Sequence, residues 1–287
     1  MPQTIRVTVP GEGVFLARDG LKPEHLKALL QRHQTDSGGN RCLKLKFGTL
    51  VTRTAAVDNE EQRKIIGGDD VVVKSTLTPS RRRLAYRLGA RSKFANSFEV
   101  SDQLETLRVQ TPPVVACSLR PRGEREFVVT LFLPTGRTVQ ELVWLSNTPI
   151  ERSKLPQLLE RLGTWMRSLH DAGVWQRDFK SDNVLVTAGE LTTESFFLLD
   201  TSEIRFFEEP LTVERRARNL GQILDLPLKD EAEAKEHVLK GYGGPTDTSR
   251  HQLGREITAT LAARRRQREK KTGFTYIDEE HYGRRGP

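Results

Sequence analysis

The sequence is poor in cysteine, with Cys42 and Cys117 its only two in 287 residues. Their separation rules out a CxxC metal or redox motif, and two thiols cannot build a disulfide framework or a structural zinc site. Both are expected as reduced, buried thiols in a reducing cytoplasm. Long apolar runs are also missing. The longest nearly apolar one, Phe127-Val-Val-Thr-Leu-Phe-Leu133, falls far short of the roughly 18 residues a membrane span needs. The start, MPQTIRVTVPGEG, has no basic-then-apolar pattern, so no cleaved signal peptide is expected. No repeat at solenoid or propeller periods is visible. What remains, 36% hydrophobic and 29% charged, is an ordinary globular composition with enough chain for one large domain or two lobes.

Positive charge is in surplus, 46 Lys and Arg against 38 Asp and Glu, for a formal net charge of +8. It is clustered. Arg81-Arg82-Arg83-Leu-Ala-Tyr-Arg87-Leu-Gly-Ala-Arg91-Ser-Lys93 holds six basic residues and no acid, and Arg264-Arg265-Arg266-Gln-Arg268-Glu-Lys270-Lys271 is a second cluster. Such clusters suit phosphorylated substrates, an anionic membrane face or nucleic acid, and a solvated helix face is the plain alternative. Neither zinc-finger spacing nor an RNP-like aromatic motif accompanies the charge, so nucleic acid ranks last. At about 1 kcal/mol per Lys or Arg near an anionic leaflet, the first cluster supports at most reversible peripheral binding.

The first half reads as strand-rich. Cys42–Leu45 and Thr49–Val57 form a hairpin-like pattern around Phe47-Gly48, and Val71-Val-Val-Lys74 is a short buried-strand signature. A helix is predicted from about Lys93 to Leu107, stopped by Thr111-Pro112-Pro113. Val114–Leu119 and Phe127–Leu133 predict a second hairpin around Pro121-Arg-Gly123. Beyond a seam near Pro134-Thr-Gly136 the pattern changes. Leu155–Ala172 predicts an amphipathic helix ended by Gly173, where a C-cap glycine belongs. Val184–Val186 and Phe196–Leu199 read as short strands, and the chain from about Thr212 reads as helical.

The informative stretch is Leu169-His-Asp-Ala-Gly-Val-Trp-Gln-Arg-Asp-Phe-Lys-Ser-Asp-Asn183, with Phe196-Phe-Leu-Leu-Asp200 beyond it. Phosphoryl transfer needs a carboxylate to orient the attacking hydroxyl, a cation to offset charge on the moving phosphoryl, and oxygen ligands for Mg²⁺. Asp178, Lys180 and the pair Asn183 and Asp200 match those roles in order and spacing. A lone aspartate on a loop is usually a turn or cap residue; Asp178 escapes that reading through the company it keeps.

The RDxKxxN loop after an LHxxG helix end, followed by an Asp-ending strand, resembles the catalytic core of the protein-kinase-like superfamily. More narrowly, it is similar to the lipopolysaccharide core kinases, the Kdo/heptose kinase or WaaP family. Val71–Lys74 followed by an arginine-rich stretch, and the Phe98…Leu104…Val109-Gln-Thr111-Pro112 helix ending, support the narrower likeness, which covers roughly residues 43–226. The resemblance implies an α+β, bilobal protein-kinase-like fold: a β-rich nucleotide-binding lobe over 1–134, a mostly helical catalytic lobe over 135–263, and a basic tail over 264–287. It implies ATP and Mg²⁺ as cofactors. Asp178 would be the base, Lys180 would steady the phosphoryl, and Asn183 and Asp200 would bind Mg²⁺. Lys74 would hold the α/β-phosphates, with Glu99 as its helix partner and Glu105 as the fallback. Gly48 would sit at the tip of the phosphate-covering hairpin, and adenine would hang from the backbone of about Leu131–Pro134, Leu133 included. The acceptor would be an anionic sugar or glycolipid of the lipopolysaccharide core, at the cytoplasmic face of the inner membrane.

Several positions depart from the kinase pattern. Gln176 stands where kinases carry His, Asp200-Thr201-Ser202 replaces Asp-Phe-Gly, the hairpin has a single glycine, and no Ala-Pro-Glu follows. These argue against a regulated protein kinase. A kinase for protein or a small metabolite, and an inactive nucleotide-binding pseudokinase, are the alternatives. Trp165 and Met166 are expected in the core, His170 as a packing or capping residue, and Trp175 as a buried ring or part of an acceptor pocket.

Overall fold

The computed structural model describes residues 3–36, 41–46, 48–56, 59–145, 149–187, 191–225, 231–243 and 247–272. The chain divides into two compact units, Met1–Thr135 with Phe197–Ser202, and Gly136–Phe196 with Glu203–Pro287.

The first unit is built on one antiparallel sheet of seven strands: β1 (Thr4–Val9), β2 (Gly13–Arg18), β3 (Cys42–Lys46), β4 (Thr49–Ala55), β5 (Asp70–Leu77), β6 (Val114–Pro121) and β7 (Arg125–Leu131). Their order across the sheet is β1-β2-β6-β7-β5-β4-β3. Strand alternation gives the sheet two apolar faces. On β7, Phe127 and Val129 turn to a cluster with Leu26, Leu29 and Leu30 of α1 (Pro23–Thr35). Val128 turns the other way, to Phe94, Phe98 and Cys117. Burial pushes the Cys117 thiol up to about 12, so it is an inert core residue.

Both hairpins expected from the alternating pattern are present, as β3–β4 and β6–β7; Phe47 and Val57 lie outside the described residues. The predicted Lys93–Leu107 helix is shorter, α4 (Ser97–Thr106), because Ser92 Oγ takes the Phe94 amide at 3.1 Å in a turn before it. In this unit three helices among the described residues were not expected from the sequence pattern: α1, α2 (Glu60–Ile66) and α3 (Ser80–Arg87). α1 carries Pro23 in its first turn and buries Leu26, Leu29, Leu30 and His33, one face of a helix.

In the second unit come β8 (Arg137–Thr138), α5 (Val139–Leu145), α6 (Pro149–Asp171), β9 (Val174–Gln176), β10 (Val184–Val186), β12 (Ile204–Phe206), α7 (Val213–Ile223), α8 (Glu231–Tyr242) and α9 (Asp247–Thr272), while β11 (Phe196–Leu198) leads the chain back to the first unit. α6 starts before the predicted Leu155 and runs through Pro156, at the cost of one backbone bond. Gly173 follows it in the left-handed region, at φ 71°, and a Cβ there would strike the Phe207 carbonyl. α6 and α8 approach closely at Gly163 and Gly241; a Cβ on Gly241 would collide with the Glu160 carbonyl. Arg264 of the second basic cluster lies within α9 and pairs with Asp225, 2% exposed, at 3.2 Å. Among the described residues, no helix is long and apolar enough to cross a membrane.

Candidate active site

The residues singled out in the sequence gather into one group in each unit. In the first, Lys74 projects from β5 between Val51 and Val128 on the neighbouring strands. Its Nζ lies 2.5 Å from Asp200 Oδ2. Asp200 reaches it because the segment 197–202 is sewn to the end of the α4 connection. Leu198 N–H donates to the Gln110 carbonyl at 2.8 Å, and Thr111 Oγ1 donates to the Leu198 carbonyl at 2.9 Å. Asp200 itself has φ 56°, a left-handed conformation that a non-glycine residue adopts only when its surroundings demand it. Burial would raise its pKa, but the Lys74 charge and hydrogen bond, the Ser202 hydroxyl at 2.8 Å and Lys93 outweigh it and hold the carboxyl below its ordinary value. Ser202, in the place of the usual glycine, thus supplies a donor to the carboxylate.

Glu99, the expected partner of Lys74, does not pair with it. The Glu99 side chain is 68% exposed in the first turn of α4 and meets Arg91 at 3.8 Å. Glu105, the fallback, is exposed. Lys74 takes its counter-charge from Asp200 instead. Gly48 sits between β3 and β4 at φ 75°, where a side chain would be strained and would press on Leu77. Its carbonyl accepts from Leu77 N–H at 2.9 Å and from Arg125 Nη1 at 3.4 Å. Arg125 also donates to Ser75, and Ser75 contacts the buried His33, so the tip of the hairpin is tied into the core. Leu131 ends β7 with its amide given to the Pro113 carbonyl at 2.9 Å, and Phe132 N–H goes to Asp70 at 3.1 Å. Leu133 is the first residue beyond these bonds.

The second group is the loop between β9 and β10. Lys180 Nζ lies 2.6 Å from Asp178 Oδ2, with the two side chains 45% and 41% exposed. Asn183 Nδ2 donates to the Asp178 carbonyl at 2.8 Å. The loop's backbone is gripped from α7, by residues that no motif had picked out. Gln222 Oε1 accepts from Phe179 N–H at 2.9 Å, and Gln222 Nε2 donates to the Arg177 carbonyl at 2.9 Å. Asn219 Nδ2 donates to the Gln176 carbonyl at 2.7 Å. These bonds bracket Asp178 on both sides. Asn219 and Gln222 are polar residues on a buried helix face beside Leu220 and Ile223, and that misplacement was the available signal. Phe179 is 1% exposed, its ring 6.0 Å from Trp165, which stacks on Phe196 at 5.3 Å.

The neighbours of the loop are buried. Trp165 and Met166 are core residues as expected. His170 is fully buried against the Tyr242 hydroxyl at 2.9 Å, and burial, then the Arg216 charge, lower its pKa to about 3. Arg216 joins that knot, donating to Tyr242, to Asp171 at 2.8 Å and to the Leu211 carbonyl at 2.6 Å. Trp175 is 9% exposed, with Arg205 and Arg218 each 5.8 Å from its ring centre.

Mg²⁺ takes hard oxygen ligands, and in phosphoryl-transfer sites one or two protein groups suffice because substrate phosphates and water complete the shell. Each unit holds one donor of that kind. Asp200 is an ionised carboxylate, and Asn183 spends its amide nitrogen on the Asp178 carbonyl, which leaves the side-chain oxygen for a cation. No group of three or more His, Cys, Asp or Glu side chains forms a metal cage among the described residues.

No protein-family model and no curated protein matches the chain. Among solved structures, the complex entitled "WaaP in complex with acyl carrier protein" is similar, at 21% identity and a TM-score of 0.52, covering 88% of this chain and 94% of that one. The chain therefore has a WaaP-like α+β, kinase-like fold, with a β-rich N-terminal part and a helical C-terminal part. Solved chains that match number 1643, so the fold is too widely used to name a substrate, and the chemistry rests on the site.

Proposed function

We propose that the protein is a kinase that uses ATP and Mg²⁺ to phosphorylate a hydroxyl, with a sugar of the lipopolysaccharide core, Kdo or heptose, as the acceptor. The observation that carries this reading is the loop at 178–183, where α7 holds the backbone on both sides of Asp178 and the Lys180 ammonium and Asn183 amide bond to Asp178. Asp178 accepts the proton of the acceptor hydroxyl as its oxygen bonds to the γ-phosphorus. The bond from that phosphorus to the β–γ bridging oxygen breaks, and ADP leaves. Lys180 offsets charge on the moving phosphoryl, Lys74 holds the α/β-phosphates, and Asn183 and Asp200 serve as oxygen ligands. Mg²⁺, when bound, neutralises the phosphate oxygens. The hairpin at Gly48 would cover the phosphates, and the backbone of about Leu131–Pro134 would meet adenine. The intact Asp178, Asn183 and Asp200 favour catalysis over a nucleotide-binding pseudokinase, and Asp200-Thr201-Ser202 disfavours a regulated protein kinase. A lipid-linked acceptor places the protein at the cytoplasmic face of the inner membrane.

The test is transfer of labelled γ-phosphate from ATP into glycolipid extract and into protein, by wild type and Asp178→Ala. Label in the glycolipid fraction, lost with Asp178→Ala, is the expected result. Label confined to protein, or equal labelling by the variant, refutes the assignment.

A further inference from the structure

Apart from Lys93, the basic segment at 81–93 is not used by the phosphoryl-transfer reading, and its helix, α3, has two different faces. The inner face of α3 is committed to the sheet through Glu126, a carboxylate 1% exposed. Glu126 accepts from Tyr86 Oη at 2.9 Å, Ser92 Oγ at 2.6 Å, Lys93 N–H at 3.2 Å and Arg82 Nη1 at 3.4 Å. Arg83 pairs with Glu124 at 3.2 Å. The helix is thus rigidly mounted, and the opposite face carries apolar side chains into solvent. Leu84 is 59% exposed and Leu88, at the C-cap, 81% exposed. Arg81, three positions before Leu84, shares that face, and Arg87 borders it. No acid lies between Ser80 and Phe98. The first turn of α3 holds Arg81, Arg82 and Arg83 and no acidic residue, the reverse of what a helix N-terminus favours.

We propose that this face of α3 docks on an anionic lipid bilayer, with Leu84 and Leu88 entering the boundary between headgroups and acyl chains and Arg81 and Arg87 meeting lipid phosphates. A bilayer surface offers both chemistries side by side, whereas a nucleic-acid backbone answers the arginines and leaves the leucines wet. The proposal does not depend on the kinase reading, because the face contains none of the residues assigned to phosphoryl transfer.

Co-sedimentation of the full chain with phosphatidylcholine vesicles, with and without phosphatidylglycerol and without ATP, tests it. Binding is expected only to the vesicles containing phosphatidylglycerol. Arg81→Gln/Arg87→Gln should weaken it roughly 25-fold, from about fivefold per arginine. Leu84→Ser/Leu88→Ser should weaken it at least about tenfold. Thermal midpoints should stay at the wild-type value, since all four side chains are exposed. Absence of wild-type binding, or binding unchanged by either pair, overturns the proposal. A neutral leucine pair, whether or not short duplex DNA displaces the protein, reduces the face to a general polyanion site and overturns it equally.

Discussion

Replacing Gln222 with alanine removes the side chain that bonds the backbone on both sides of Asp178. The Phe179 amide and the Arg177 carbonyl, each 2.9 Å from Gln222, would be left without those partners, beside a buried helix face. A buried backbone group left unsatisfied costs about 1–3 kcal/mol, so the pair predicts a loss of about 2–6 kcal/mol in unfolding free energy, less whatever water can restore. The loop would also loosen. A displacement of about 1 Å at a positioned group costs on the order of 100-fold in rate, which is the expected fall in turnover. Urea unfolding measures the first effect, and hydrogen exchange of a peptide spanning Val174–Val186 reads the second without any acceptor. Gln222→Glu keeps an acceptor for Phe179 but sets a buried carboxylate against the Arg177 carbonyl, so it too should lower stability and speed exchange in the loop. Wild-type stability together with unchanged exchange at Phe179 would refute the idea that α7 holds the loop.

Four further outcomes follow from the same structure. Gly241→Ala should lower the thermal midpoint by roughly 5 °C or more, since its Cβ meets the Glu160 carbonyl of α6 and separating packed helices costs a few kcal/mol; an unchanged midpoint would show that the helices slide apart freely. Burial, helped by Arg125 for His33 and Arg216 for His170, lowers these two histidines to about 4 and about 3, so below pH ~6.5 the unfolded chain binds protons that the folded chain refuses. Stability is then complete above about pH 6.5 and falls as the pH drops toward 4, by up to roughly 2.7 kcal/mol per unit with both contributing; urea midpoints at neutral and mildly acidic pH check it, and a flat profile contradicts it. Lys74→Met leaves Asp200 buried without its counter-charge and should weaken ATP binding at least about tenfold by calorimetry, an effect that must exceed that of Glu99→Ala if the pairing is as described. Glu126→Ala strands three short-range donors around an emptied site and should cost about 3 kcal/mol or more of unfolding free energy.

Local pattern carried much of this. The run Val71–Lys74, the two hairpins and the amphipathic helix before Gly173 are short-range signals, and each element is present with shifted ends. The 178–183 loop was legible because its residue types are close together in sequence. Partnerships across the fold were not. Glu99 looked like the partner of Lys74 from its place on a helix, but which helical face meets a strand depends on packing, and α4 turns Phe98 inward and Glu99 to solvent. Asp200 reaches Lys74 through bonds to Gln110 and Thr111, contacts of long sequence separation that no periodicity encodes. The same holds for Gln222, Asn219 and Glu126, polar residues whose burial becomes visible only with the partners that satisfy it. The N-terminal 36 residues gave no usable motif, and their hairpin and helix became evident from the sheet they extend and cover.

The central claim is tested most directly by ATP turnover with Mg²⁺ in wild type and Asp178→Ala, with and without extracted glycolipid. A general base contributes about 10²–10⁴-fold, so glycolipid should stimulate the wild-type rate and Asp178→Ala should fall by that factor while still binding ATP. Equal turnover in the two proteins, or ATP binding without turnover on any glycolipid, would contradict it.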